Sequence, residues 1–247
     1  MAPLIVLRHF GCTFLCRPSL TISPFDTYKP RYYATFLWLT QIVDNQPTVE
    51  DMVEVRIHGR GGQGVVTASD LLAMAAFTDG HHTQAFPSFG SERTGAPVVS
   101  FCRITDKEIR TREPVLEPDV IVVQDPTLLS VMDVFAGLKP EGYVLLNSTK
   151  SFEELGLMDL VNSLPQGHAI TIPAFDIARE HVGRPLPNAV MLGGVAALTG
   201  LIALDSVTDA IRKRFPGKVG EANVNAATAA YDQVNAERAN TKEGADA

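Results

Sequence analysis

The sequence predicts an α/β fold with a mostly parallel sheet, and three observations point to it. Val53-Glu-Val-Arg-Ile-His58 alternates like a strand, runs into the glycine cluster Gly59-Arg-Gly-Gly-Gln-Gly64, and continues as a helical pattern from Val65. Strand, tight turn and helix in that order open a parallel βαβ unit. Val120-Ile-Val-Val-Gln124 is a near-continuous β-branched run, as expected of a strand covered on both faces. From Pro187 onward the apolar residues fall at helical spacing, through Val190, Leu192, Val195, Ala196 and Leu198.

The elements follow in order from these signals. Val53 to His58 is the first strand and Val65 to Phe77 its helix, with Val66, Leu71, Ala73 and Met74 among the apolar positions. Asp79-Gly80 reads as the turn before a second strand, His82 to Phe86. Val98 to Ile104 is a third strand, and Lys107 to Arg112 is expected to return beside it as a short antiparallel partner across Thr105-Asp106. Val120 to Gln124 follows, and Asp125-Pro126-Thr127 starts another helix. Tyr143 to Asn147 and Ala169 to Pro173 are further strands. Helices are expected from Pro187, over Val207 to Phe215, and over Gly220 to Ala236. This order describes a Rossmann-like, mostly parallel sheet flanked by helices, with a helical C-terminal part.

At 247 residues, with 45% hydrophobic and 20% charged residues, the chain can bury a full core in one domain of moderate size. A net charge of -7 without a long basic run argues against nucleic acid. The densest basic cluster, Arg212, Lys213 and Arg214, falls in the last turn of an expected helix, where cations suit the dipole. No run reaches the roughly 18 apolar residues of a membrane span, so no membrane partner is expected.

Three cysteines cannot build a four-thiolate iron–sulfur site. Cys102, within an apolar strand, reads as a buried small hydrophobe and not as a nucleophile. The scattered histidines suggest no zinc. The cysteine count fits a reducing cytoplasm.

Residues 1–51 differ from the rest. Met1 to Val43 hold one acidic residue, Asp26, against four basic ones, with no strand or helix period. They read either as a targeting segment or as the product of a start placed upstream of Met52. Sparse arginines and the lack of an amphipathic helix favour the second. The expected organisation is an extension over 1–51, a domain over 52–240 and a disordered tail over 241–247.

Two segments carry chemistry. Gly59, Gly61 and Gly64 match the dinucleotide fingerprint, with Gly62 and Gln63 completing a turn suited to a phosphate. Glycines allow close backbone approach, and the helix that follows offers unpaired N–H groups and a positive dipole end. The acid that would hold a ribose about 20 residues on is missing, since Asp79 falls in a turn and the second strand ends in Pro87-Ser88. An NAD site is therefore discounted. A tight turn without a ligand is the plainer alternative.

The second segment, Phe86-Pro-Ser-Phe-Gly-Ser-Glu-Arg-Thr-Gly-Ala-Pro97, is expected at the carboxyl edge of the sheet, beside the glycine turn. There Ser88, Ser91 and Thr94 offer hydroxyls. Arg93 either grips a phosphate or carboxylate or pairs with Glu92 to fix the loop. Asn147-Ser148-Thr149 closes a strand near the same edge, as a further hydrogen-bonding group or as a plain cap.

Together with Glu117-Pro-Asp-Val-Ile-Val-Val-Gln-Asp-Pro-Thr-Leu128, these motifs resemble the gamma subunit of 2-oxoacid:ferredoxin oxidoreductases, with the pyruvate type the nearest match. The resemblance runs from about Met52 through Pro187-Asn-Ala-Val-Met-Leu-Gly-Gly194 and Asn223 to Ala229. It implies a multi-subunit enzyme in which thiamine diphosphate attacks the 2-oxoacid and decarboxylation leaves an enamine. Electrons then reach ferredoxin through [4Fe-4S] clusters, and the acyl group goes to coenzyme A.

Alpha and beta subunits then carry thiamine diphosphate and magnesium, and clusters sit largely in beta and delta. This chain, with no catalytic residue of its own, helps bind coenzyme A. The implied contacts are the Gly61 to Gly64 amides on the pyrophosphate and Arg93 as cationic clamp, within a site of Gly59, Gly61, Gly62, Gln63, Gly64, Ser88, Glu92 and Arg93. A 2-oxoglutarate or branched-chain 2-oxoacid enzyme is the near alternative. A standalone dehydrogenase and a nucleotide-binding scaffold or regulatory module are the rivals from other classes.

Overall fold

A computed structural model of the chain describes residues 52–88 and 94–243, and side chains as far as residue 240. The N-terminal extension and loop residues 89–93 lie outside the described residues. Six strands form one sheet: β1 (Val53–Arg60), β2 (His82–Pro87), β3 (Pro97–Thr105), β4 (Val120–Val123), β5 (Tyr143–Asn147) and β6 (Ala169–Ile172). They lie in the order β2-β3-β1-β4-β5-β6. Strands β1, β4, β5 and β6 pair in parallel, while β3 runs antiparallel to both β1 and β2. The mostly parallel sheet is as expected.

The alternation of side chains along each strand divides the core in two. Val55 and Ile57 of β1, Val120 and Val122 of β4, and Leu145 of β5 face one side. There they meet α1 (Val65–Thr78), α4 (Asn188–Thr199), α5 (Leu204–Arg214) and α6 (Lys218–Glu243). Ile121, Val123, Val144 and Leu146 face the other side. Leu128, Val134 and Phe152 cover them, from a 3-10 turn (Pro126–Ser130) and the irregular chain after it. The short helices α2 (Met158–Ser163) and α3 (Ala174–Val182) complete the domain.

Three expectations are corrected. Lys107 to Arg112 forms no strand. Both edges of β3 are already paired, with β1 and with β2, so it has no free backbone groups left for a hairpin partner. Asp125-Pro126-Thr127 opens a single 3-10 turn, with the Asp125 carboxylate accepting the Thr127 amide at 2.9 Å. Helix α6 begins before Gly220 and runs past Ala236 to Glu243. Among the described residues no helix is long and apolar enough to cross a membrane.

Arg56 and His58 occupy the second face of β1, where apolar residues would be usual, and both are buried. The Arg56 guanidinium donates to the carbonyls of Val115 at 3.4 Å and Val134 at 3.2 Å, and also to that of Ala136. It thereby holds down the irregular chain that covers this face.

Candidate functional site

The strand order reverses between β1 and β4. The connection leaving β1 leads toward β2 on one side, and that leaving β4 leads toward β5 on the other. A crevice at the carboxyl ends of two such strands is where open α/β sheets bind ligands. The glycine turn forms one wall of this crevice and Asp125 to Thr127 the other.

The turn is built from local hydrogen bonds. Gln63 N–H donates to the Arg60 carbonyl at 3.0 Å, and Arg60 N–H donates to Gln63 Oε1 at 2.8 Å. Gln63 Nε2 then reaches Asp125 Oδ2 at 2.6 Å. Gly61 N–H donates to the Ala96 carbonyl at 2.9 Å, and Gly95 N–H to the Gly61 carbonyl at 3.0 Å. The return leg of the Phe86 to Pro97 segment is thus clamped to the turn, as expected. A methyl group on Gly59 would come within 2.6 Å of Val65 Cγ2, so glycine there allows the turn to pack on α1.

These bonds change what the turn can offer an anion. Two of its four amides, Gly61 and Gln63, are already engaged. The Gly62 and Gly64 amides have no partner among the described residues. Gly62 and Gly64 adopt φ of 98° and 74°, the left-handed region that favours glycine. Gly64 is the N-cap of α1, and no side chain caps that helix. Its first-turn amides therefore stay open at the positive end of the helix dipole.

Arg60, which the sequence reading left out, extends across the crevice. Its guanidinium donates to Thr127 Oγ1 at 2.9 and 2.7 Å and to the Gly95 carbonyl at 3.0 Å, with Asp125 Oδ2 at 3.5 Å. Burial alone would raise the Asp125 carboxyl. Hydrogen bonds from Thr127 and Gln63 and the charge of Arg60 outweigh it and hold that group below its ordinary range. Arg60 and Asp125 largely cancel, so attraction for an anion rests on open amides and helix ends.

The other expected site residues divide. Ser88 follows β2 and is exposed, its amide bonded to the Val99 carbonyl at 2.8 Å, so β3 lies between it and the glycine turn. Glu92 and Arg93 lie outside the described residues. Asn147 donates to the Gln124 carbonyl at 2.7 Å and accepts from the Phe175 amide at 3.3 Å, tying β4 to α3. Beside it a cleft of about 410 Å³ opens between Thr127, Ser148, Lys150, Phe175 and Arg179.

Asp79 is used elsewhere. At the opposite end of α1, its carboxylate accepts the Ala203 amide at 2.9 Å and the Ser206 hydroxyl, and so caps α5. It holds no ribose. Two further buried carboxamides went unnoticed in the sequence. Gln124 is fully buried against Gly59, with neither polar side-chain atom partnered among the described residues. Asn188 opens α4 and abuts Gly64. The available signal was a lone polar residue at the end of a β-branched run and another at the head of an apolar helix.

Residues 54–233 match the family described as pyruvate ferredoxin/flavodoxin oxidoreductase. The chain is 50% identical over 182 residues to the pyruvate/ketoisovalerate oxidoreductases common subunit gamma of Pyrococcus furiosus, covering 74% of this chain and 97% of that one. It is 49% identical over 183 residues to pyruvate synthase subunit PorC of Methanothermobacter marburgensis, covering 74% of this chain and 98% of that one. The crystal structure of pyruvate oxidoreductase subunit PORC from Thermotoga maritima superposes with a TM-score of 0.61 at 37% identity. That superposition covers 74% of this chain and 97% of the other.

Proposed function

The chain belongs to the pyruvate ferredoxin/flavodoxin oxidoreductase family, and on that footing we propose that it is the gamma subunit of a pyruvate:ferredoxin oxidoreductase that contributes to coenzyme A binding. In the overall reaction the 2-oxoacid loses carbon dioxide and its carbonyl carbon forms a thioester with the coenzyme A sulfur. Two electrons and a proton are released, and the electrons go to ferredoxin.

The observation that carries the coenzyme A assignment is the uncapped N-terminus of α1 behind Gly62 and Gly64, at the switch point of the sheet. Gly62, Gly64 and the first turn of α1 contact the diphosphate. Gly59, Gly61 and Gln63 shape the turn, and Arg93 acts as the cationic clamp.

The described residues gather no ligand set for a metal ion or an iron–sulfur cluster. No three histidine, cysteine or acidic side chains come together among them, and Cys102 is buried. Thiamine diphosphate, magnesium and [4Fe-4S] clusters are assigned to alpha, beta and delta partners, with ferredoxin as the acceptor. Substrate choice goes with the thiamine site. A gamma subunit named as common to pyruvate and ketoisovalerate enzymes supports this division. The unpaired Cys102 fits a cytoplasmic complex.

The test is co-expression with the partner chains, followed by equilibrium dialysis of coenzyme A against the complex and its Gly61→Val and Arg93→Ala variants. Co-purification and weakened binding in both variants are expected. Unchanged affinity in both removes the coenzyme A site, and failure to co-purify removes the assembly.

A further inference from the structure

We propose that the cleft at the carboxyl ends of β5 and β6 receives the nucleotide end of coenzyme A, with the adenine against Phe175 and the ribose 3′-phosphate at Lys150. The proposal rests on the coenzyme A reading given above and assigns a part of that ligand which the glycine turn does not hold.

The cleft is built from segments that leave the same edge of the sheet. Thr127 follows β4, Ser148 to Lys150 follow β5, and Pro173 to Arg179 follow β6 and open α3. Asn147 ties the three at their roots, donating to the Gln124 carbonyl at 2.7 Å and accepting the Phe175 amide at 3.3 Å. The Ser148 hydroxyl accepts the Lys150 amide at 2.9 Å and donates to the Lys150 carbonyl at 3.0 Å, which fixes the bend that brings Lys150 to the cleft. A volume of about 410 Å³ lies near the lower end of the roughly 300 to 1,000 Å³ of small-molecule sites. It holds a nucleoside and not a whole coenzyme.

The lining selects which end of the ligand enters. Phe175, Leu155, Pro126 and Pro173 present half-buried apolar surface, and an aromatic ring among them suits the flat face of a base. Three charged side chains line the cleft: Lys150, Asp176 and Arg179. Asp176 is paired with Arg179 at 2.9 Å, whereas Lys150 forms no ion pair among the described residues. Glu154 also feels the charge of Lys150, but it accepts the Ser151 amide at 2.8 Å and does not line the cleft. One uncompensated cation therefore remains. The pantetheine arm has no anionic group to meet it, and the ribose 3′-phosphate does.

The cleft also lies within reach of the diphosphate. Thr127 belongs to the wall that faces the glycine turn, where it receives Arg60, and it lines the cleft as well. A diphosphate at Gly62 and Gly64 has this wall between it and the cleft, and a single ribose links it to the base.

Equilibrium dialysis against the assembled complex, without the 2-oxoacid, reads affinity for coenzyme A, 3′-dephospho-coenzyme A and 4′-phosphopantetheine. Lys150→Ala should weaken coenzyme A about 10-fold, the worth of a hydrogen bond to a charged group, and leave the dephospho form unchanged. Phe175→Leu keeps apolar bulk but removes the ring, and should weaken both nucleotides about 10-fold with 4′-phosphopantetheine unchanged. Phe175→Tyr should bind as the parent does. A residue that serves only the structure does not tell these three ligands apart.

Equal weakening of the dephospho form by Lys150→Ala overturns the 3′-phosphate contact, and weakening of 4′-phosphopantetheine by Phe175→Leu overturns the placing of the adenine. Unchanged coenzyme A affinity in Lys150→Ala and Phe175→Leu, with Gly61→Val or Arg93→Ala weakened, overturns the cleft and leaves the glycine turn standing. Unchanged affinity in all four overturns both.

Discussion

Gln63 and Asp125 are joined across the switch point of the sheet, Nε2 to Oδ2, at 2.6 Å. The same glutamine accepts the Arg60 amide at 2.8 Å, so one side chain closes the glycine turn and fastens it to the end of β4. The crevice where a ligand would bind is held at a set width by a neutral donor and a carboxylate kept ionised.

Replacing Gln63 by alanine should remove two part-buried hydrogen bonds and cost about 1 to 2 kcal/mol of stability. Urea titration measures this. Coenzyme A affinity in the complex should fall as well, because the Gly62 and Gly64 amides lose their fixed aim. Gln63→Glu should be worse than alanine, with two carboxylates brought together at Asp125.

Asp79 has the sequence spacing of a ribose-reading acid and the structural position of a cap. Asp79→Ala should destabilise the protein by about 1 kcal/mol, the typical cost of losing an N-cap. Coenzyme A binding should not change. A loss of ligand affinity at constant stability would contradict the capping role.

His58 carries a pH dependence. Burial first, and the neighbouring Arg56 charge second, push its imidazole down to about 4 from the 6.5 of an unfolded chain. The Arg56 Nε–H donates to His58 Nε2 at 3.1 Å, which places the remaining proton of the neutral ring on Nδ1. Between pH 6.5 and about 4 the unfolded chain takes up a proton that the folded one refuses. Stability is full above 6.5, falls through that window by up to about 3 kcal/mol, and levels below it. His58→Gln keeps an acceptor for Arg56 and should flatten this part of the profile. The depressed Asp125 carboxyl acts in a separate window, with stability lost only as pH falls below the ordinary carboxylate range.

Gly193 lies where α4 crosses α6, and a methyl group there would sit 1.9 Å from the Ala227 carbonyl oxygen. Backbone cannot turn aside as a side chain does, so Gly193→Ala should force the helices apart and cost at least about 3 kcal/mol. The adjacent Gly194 faces Leu145 Cδ2 at 2.8 Å, a side chain able to shift. Gly194→Ala should be milder by thermal melting.

Cys102 is fully buried in β3, and burial pushes its thiol far above the ordinary range. Alkylation of the native protein at Cys102 should be undetectable until the chain is unfolded, as mass spectrometry of labelled peptides would show.

Several features were legible from local chemistry. The alternation of Val53 to His58, the β-branched run at Val120 and the left-handed glycines at 62 and 64 each declare a local conformation that short-range sterics impose. The segments 107–112 and 125–127 misled for a common reason. Whether a strand-like stretch pairs depends on free edges elsewhere, and β3 had none. Whether a capped start continues as a helix depends on what covers it, and after Asp125 the chain turns onto the second face of the sheet instead.

The sequence by itself determined an α/β chain with a phosphate-suited turn and enough ordered motifs to point to its family. Only the tertiary structure decided which amides of that turn stay open, that Arg60 is neutralised by Asp125, and that Asn188, 124 positions after Gly64, lies against it. The division has a physical cause. Backbone conformation is set by neighbours within a few residues, whereas a site is assembled where strand order and helix packing bring distant polar groups together, and no local pattern encodes that distance.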